Sequence, residues 1–268
     1  MPFLCRNTLK RYDMSVYDEK IALNKLSEFS GRGAAINPFL DWSFKYLFGR
    51  DQTKDILMGF LNVLLNLDSP ISDITYLNNE SLPEQADLRE CVFDVLCKDA
   101  SGNRFLVEMQ RIEKQNIRER LLYYACRLIN NMGQRGDEWD YRYDRVYAIC
   151  LMDFTYEDDP VLRSDYLLRS ASTGRIFSDR LQITTLQIPC IKANSFAECV
   201  ESYEKLLYLL VKMKEGTFTF EDLIADIEAE TASPEVKAML RRVAETADKA
   251  SLSPGDRAAY DYALNVLR

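Results

Sequence analysis

The sequence predicts an α/β protein, in which a mixed β-sheet is flanked by helices and followed by a helical C-terminal region. Residues 91–110 read as two strands joined by a tight turn, and residues 146–152 form a continuous apolar run, which is typical of a strand covered on both faces. Beyond Asn194 the apolar residues recur at helical spacing. We therefore expect a lead-in over residues 1–35, an α/β domain over residues 36–193 and a helical region over residues 194–268.

Two helices are predicted before the sheet. The first follows Asn37 and ends at Gly49. Asp41 and Lys45 lie four residues apart on one face of this helix, either as an ordinary surface ion pair or as an acid and a cation of a catalytic site. The elements that follow are a second helix over residues 52–66, a strand over residues 71–77 and a loop over residues 78–88 that contains Glu80, a candidate extra ligand.

The turn of the hairpin determines how its two strands pair. Asp99-Ala-Ser-Gly-Asn103 fits a three-residue loop, in which a type I turn precedes Gly102 in the left-handed conformation. This loop places Asp94 opposite Glu108, with Gln110 on the same face. Directly opposed like charges destabilise a sheet, so the pair makes sense chiefly if a cation lies between the two carboxylates.

A helix is predicted over residues 116–132, directly after the hairpin. Asn116 and Glu119 have the spacing of a capping box at its start. Arg120 lies beside the buried stripe of this helix, on the side that turns toward the two carboxylates. The remaining elements are strands at residues 146–152, 166–168 and 181–188 and helices at residues 197–214, 220–230, 234–247 and 254–267. These last helices fit a subdomain, a lid or an oligomerisation surface, so a homo-oligomer is one expectation.

The composition limits the chemistry that the chain can perform. It has no histidine, which excludes Ser-His-Asp and Cys-His catalysis and zinc held by imidazole. Carboxylates remain as ligands, and oxygen ligands suit Mg²⁺ or Mn²⁺. The chain has seven cysteines and no C-x-x-C pair, so we expect buried reduced thiols, with Cys91, Cys97 and Cys150 inside apolar strands.

Hydropathy and charge bear on location and partners. No apolar run approaches the ~20 residues of a membrane span, and the first residues lack the apolar centre of a signal peptide, so we expect a cytoplasmic protein with no membrane partner. The net charge of −8 argues against strong, indiscriminate binding to nucleic acid. Between residues 104 and 127, however, six basic residues outnumber three acidic ones, as in a solvated helix face or a strip that steers a nucleic-acid backbone.

Several motifs occur in a particular order. They are Asp41-Trp-Ser-Phe-Lys-Tyr-Leu-Phe-Gly49, Phe93-Asp94-Val95, Val107-Glu108-Met109-Gln110, Arg120-Leu-Leu-Tyr-Tyr124, Gly136, Trp139, Tyr141 and the strand at residues 146–149. This order resembles the PD-(D/E)XK nuclease superfamily, and more closely its branch of Rpn-like recombination-promoting nucleases and PDDEXK-type transposases. The resemblance covers about residues 36–192.

The resemblance implies a restriction-endonuclease-like fold and a Mg²⁺-dependent DNA endonuclease linked to recombination or transposition. Asp94, Glu108 and the backbone carbonyl of Met109 would bind Mg²⁺ or Mn²⁺, and Gln110 would position the attacking water. Most members of the superfamily have Lys where Gln110 stands, whereas the branch resembled here commonly has Gln. Because Gln carries no charge, another residue would have to supply the positive charge.

Lys45, Arg111 and Arg120 are the candidates for that charge. Lys45 is thus a candidate catalytic residue, and Asp41 a candidate accessory acid. Contacts with DNA are expected from Arg111, Lys114, Arg118 and Arg120. Two alternatives stay open: a catalytically degenerate protein of the same fold that binds nucleic acid or another protein, and an unrelated module whose two carboxylates are merely exposed on an edge hairpin.

Overall fold

In the computed structural model the described residues are 35–77, 94–113, 116–134, 136, 139–156, 160–216 and 218–266. Their strands are β1 (Ile74–Tyr76), β2 (Val95–Asp99), β3 (Arg104–Gln110), β4 (Val146–Met152), β5 (Arg163–Arg169) and β6 (Ile176–Gln187). These form one six-stranded sheet with the order β1-β2-β3-β4-β6-β5. The β3–β4 and β4–β6 pairs are parallel and the other three pairs are antiparallel. The predicted mixed sheet is therefore confirmed.

All seven predicted helices occur within the described residues. They are α1 (Asp41–Phe48), α2 (Lys54–Leu65), α3 (Ile117–Asn130), α4 (Ser202–Glu215), α5 (Phe220–Ala229), α6 (Pro234–Ala247) and α7 (Pro254–Val266). The capping box expected at Asn116 is wrong, because this residue makes no capping side-chain hydrogen bond and its backbone is not extended. None of the described helices is long and apolar enough to cross a membrane.

Helices cover both faces of the sheet. Leu96 and Leu106 pack against α3 through Ala125 and Leu128. The opposite face joins a larger core that includes α1, α2 and the four C-terminal helices. Every residue of β4 is buried, which explains its unbroken apolar run. The C-terminal helices therefore bury their apolar residues in the same core as the sheet.

The hairpin has the predicted register, since Val95 pairs with Val107 and the loop has three residues. Gly102 closes the loop with a φ of 89° and donates its N–H to the Asp99 carbonyl at 3.1 Å. The turn therefore fixes which residues face each other at the far end of the hairpin, next to Asp94.

The cysteine expectation holds in part. Cys97 and Cys150 are buried and unbridged, as predicted, whereas Cys91 lies outside the described residues. Cys126 is exposed and Cys190 is only half-buried, so the expectation of burial is wrong for both. Cys126 lies on α3 beside Ala125, and only one side of that helix packs against the sheet.

Replacement of Gly102 by Ala should destabilise the protein, because its φ of 89° lies in the left-handed region, where a side chain is strained. A β-carbon there would also meet the carboxylate of Asp144, but that side chain is exposed and can rotate away, so this contact adds little. We expect Gly102→Ala and Gly174→Ala, at φ 69°, each to cost about 1–2 kcal/mol. Chemical denaturation of both variants measures this, and unchanged stability of Gly102→Ala would contradict the strained turn.

Candidate active site

The end of the hairpin away from its turn holds two carboxylates in a fixed arrangement. Asp94 directly precedes β2, and Glu108 lies in β3. The backbone N–H of Asp94 donates to Glu108 Oε1 at 3.3 Å, and the backbone N–H of Met109 donates to Asp94 Oδ2 at 2.8 Å. Each strand therefore holds the carboxylate of the other through a main-chain donor. The Met109 side chain belongs to the core on the opposite face, so only its backbone can serve the site.

Both carboxylates are removed from water. Glu108 is only 3% exposed, and the side chain of Asp94 is 17% exposed. Burial raises the pKa of Glu108 to about 8, and the charge of nearby Asp94 adds to this effect. Burial also raises the pKa of Asp94. Near neutral pH and without a cation, the pair therefore favours one shared proton over two charges.

Gln110 lies two residues beyond Glu108 and is half-buried. Its Nε2 atom donates to Glu108 Oε2 at 3.3 Å. This bond orients the amide, so that its carbonyl oxygen can accept a further hydrogen bond. The structure thus brings Gln110 to the carboxylate pair, as the sequence predicts.

Lys45 connects α1 to the site. Its Nζ lies 2.8 Å from Asp41 Oδ1 and 3.9 Å from Asp94 Oδ1. The predicted i,i+4 ion pair therefore forms, and its cation also approaches the buried pair, while a catalytic role for the two residues stays a prediction. The side chain of Asp41 is 70% exposed, and its partner is Lys45. Asp41 therefore contacts the site through Lys45.

Arg120 approaches the pair from α3. Its charge lowers the pKa of both Asp94 and Glu108, against the effect of burial. Its Nε atom is buried and has no hydrogen-bond partner within the described residues. An unsatisfied buried donor costs about 1–3 kcal/mol, so this atom can gain from an acceptor supplied by a ligand.

The other predicted basic residues lie farther along the same chain segment. Arg111 directly follows Gln110 and is half-buried. The guanidinium of Arg118 lies 4.2 Å from the ring centroid of Tyr156. Lys114 and the candidate ligand Glu80 lie outside the described residues.

Sequence reasoning missed an ion pair beside Gln110. The backbone N–H of Asp153, just after β4, donates to the Gln110 carbonyl at 2.8 Å. The carboxylate of Asp153 binds Lys214 Nζ of α4 at 2.6 Å and is 8% exposed. The position of Asp153 after a buried parallel strand was the available signal, because ligand crevices of α/β sheets lie at such strand ends. The Asp153–Lys214 ion pair thus links helix α4 to the end of the sheet at which Gln110 lies.

The donor set fits a hard divalent cation. Among the described residues no group of three or more Asp, Glu, Cys or His side chains could hold a metal ion. The available donors are the carboxylates of Asp94 and Glu108 and a backbone carbonyl. Mg²⁺ is commonly held by one or two carboxylates together with water and substrate phosphate oxygens. Asp94 and Glu108, two opposed and buried carboxylates that retain a proton, can supply the protein ligands of such a magnesium site.

The mixed sheet with helices on both faces fits an α/β restriction-endonuclease-like fold. The family model described as PD-(D/E)XK nuclease family transposase matches residues 38–268. Because this match covers most of the chain, the protein belongs to that family, and the predicted family is confirmed. No curated protein and no solved structure matches the chain significantly.

The cation-free protein should lose stability as pH rises from about 4.5 to about 8. The folded-state pKa of Glu108 is raised from 4.5 to about 8, so its contribution is fully present below the unfolded pKa and is lost as pH rises through the folded one. Glu108→Gln should weaken this dependence, leaving the part that burial of Asp94 contributes, and should exceed the wild type by about 2 kcal/mol at alkaline pH.

Chemical denaturation in chelator across this pH range measures the dependence. The exposed residue Glu221 supplies the matched control, since Glu221→Gln should keep the wild-type pH profile. Parallel profiles for Glu108→Gln and the wild type would contradict the assigned cause.

Proposed function

We propose that the protein is a Mg²⁺- or Mn²⁺-dependent DNA endonuclease that acts in recombination or transposition. The observation that carries this proposal is the buried Asp94–Glu108 pair, which is held by main-chain donors in a chain of a nuclease family. Burial of two like charges on one hairpin is unfavourable for stability alone. A catalytic cation site would account for this unfavourable arrangement.

Asp94, Glu108 and the Met109 carbonyl would hold the cation. A divalent cation held there would lower the pKa of a bound water and polarise the scissile phosphate. The main-chain donors keep the carboxylates in place before substrate arrives, and burial excludes competing water. Gln110, oriented by Glu108, presents a carbonyl oxygen that accepts a hydrogen bond from the attacking water.

Arg120 is the best candidate for the charge that Lys supplies in most of the superfamily. Both cations lower the pKa of the two buried carboxylates, but Lys45 is already paired with Asp41, whereas the buried Nε of Arg120 has no hydrogen-bond partner among the described residues. A guanidinium can also donate two parallel hydrogen bonds to a phosphate. Arg111, Arg118 and Lys114 are assigned to the DNA backbone.

Asp94→Ala and Glu108→Ala should each reduce cleavage at least about a hundredfold, because each removes a charged oxygen donor. The measurement is cleavage of plasmid and of short single-stranded DNA at low salt with added Mg²⁺ or Mn²⁺. The exposed Glu221 of α5 supplies the control, since Glu221→Ala should stay within a few-fold of the wild type. Cleavage that persists in Asp94→Ala or in excess chelator would place the chemistry elsewhere. Metal-independent DNA binding without any cleavage would favour the catalytically degenerate alternative.

Arg120→Gln should lower the single-turnover rate about a hundredfold, since one well-placed charge is worth roughly 3 kcal/mol in the transition state. Lys45→Gln should have a smaller effect. Gln110→Lys should keep or raise activity in the wild type and should restore much of the rate in Arg120→Gln. If Arg120→Gln cleaves at the wild-type rate, the charge comes from another residue.

A further inference from the structure

The outer part of the β5–β6 hairpin extends beyond the sheet. β4 pairs with β6 only from Leu181 onward, whereas Ile176 and Ser178 pair only with Arg169 and Leu168 of β5. We call residues 168–180 the ribbon. Register shifts beside Leu168 bend the ribbon relative to the sheet. Its end is closed by a hydrogen bond from the Ser170 N–H to the Arg175 carbonyl at 2.9 Å.

The ribbon is basic and exposed in a chain whose net charge is −8. Arg169, Arg175 and Arg180 are exposed, and the single acid of the ribbon, Asp179, is paired with Arg145 at its base. Phe177 is 82% exposed. By strand alternation Phe177 shares one side of the ribbon with Arg175, and Leu168 and Ile176 are also exposed. Exposed cations beside apolar side chains on a two-stranded ribbon suit the phosphates and the groove of nucleic acid.

The length of β6 limits how far the ribbon lies from the carboxylates. Glu108 lies in one cross-strand row with Cys150 and Thr185. Arg175 lies ten residues before Thr185, so at about 3.3 Å per residue it is at most about 33 Å away along the strand, and the bend of the ribbon shortens this distance. One turn of B-DNA is about 34–36 Å long. A duplex with its cleaved phosphate at Glu108 can therefore meet the ribbon within about one helical turn.

We propose that the ribbon binds duplex DNA within about one helical turn of the cleaved phosphate. Its arginines contact phosphates, and Phe177 provides an apolar contact in the groove. A two-stranded ribbon fits the major groove, which is about 12 Å wide. A second copy of the chain is the weaker candidate, because two packed ribbons would bring their arginines together. The inference rests on the proposed function, since it assumes DNA as substrate.

The test measures binding of the full chain to a labelled duplex of about three helical turns, in chelator, over a range of salt concentrations. Arg169→Gln/Arg175→Gln should weaken binding about tenfold at about 0.1 M salt and make the slope of log K against log salt shallower by about 1.8, for two lost phosphate contacts. Phe177→Ser should weaken binding several-fold and leave the slope unchanged. Arg241→Gln/Arg257→Gln removes the same charge from two other exposed sites and should bind like the wild type.

Two outcomes would overturn the proposal. One is equal affinity and slope for the ribbon variant and the control double variant. The other is a change in mass from dimer to monomer by sedimentation, caused by the ribbon variant with DNA binding unaffected, which would assign the ribbon to a second copy. Cleavage by the wild type tests the proposed function separately, because binding in chelator requires no catalysis.

Discussion

The site depends on a pair of crossed hydrogen bonds at the end of one hairpin. The Met109 N–H holds the Asp94 carboxylate, and the Asp94 N–H holds the Glu108 carboxylate. Both bonds require the register that the turn at Gly102 sets. A slip of one residue would move Glu108 to the face of the sheet that packs against the larger core, where an unpaired carboxylate has no partner. The turn therefore determines whether the carboxylate pair can form.

The carboxylate pair links stability to function. Burial of Glu108 beside Asp94 raises its pKa to about 8, so folding without a cation favours a protonated site. Arg120 and Lys45 offset part of this penalty through their charges. A bound cation would displace the proton and offset the rest. Burial of the carboxylate pair should therefore lower the free energy of unfolding of the cation-free protein, and cation binding should restore it.

The sequence predicted the elements that have a strong periodic signal. The alternating residues before the turn and Gly102 within it were enough to set the register, and the apolar run of β4 was enough to place a doubly covered strand. The ribbon was missed, because residues 168–180 are exposed and bury no face that a pattern could reveal. The Asp153–Lys214 pair was also missed, since its partners are 61 residues apart in the chain and meet only through tertiary packing.

The resemblance to the nuclease family that the motifs showed extends only to about residue 192, whereas the family model matches the chain to residue 268. The longer match agrees with the core that the sheet shares with the C-terminal helices.

The most direct test of the central claim is calorimetric titration of the protein with Mg²⁺ or Mn²⁺ near neutral pH, in two buffers that differ in ionisation enthalpy. If Asp94 and Glu108 share a proton that a cation displaces, the two titrations should give one binding site and release of about one proton per ion. Asp94→Ala should abolish the binding heat. Binding without proton release would contradict the protonated pair, and no binding in the wild type would contradict the cation site itself.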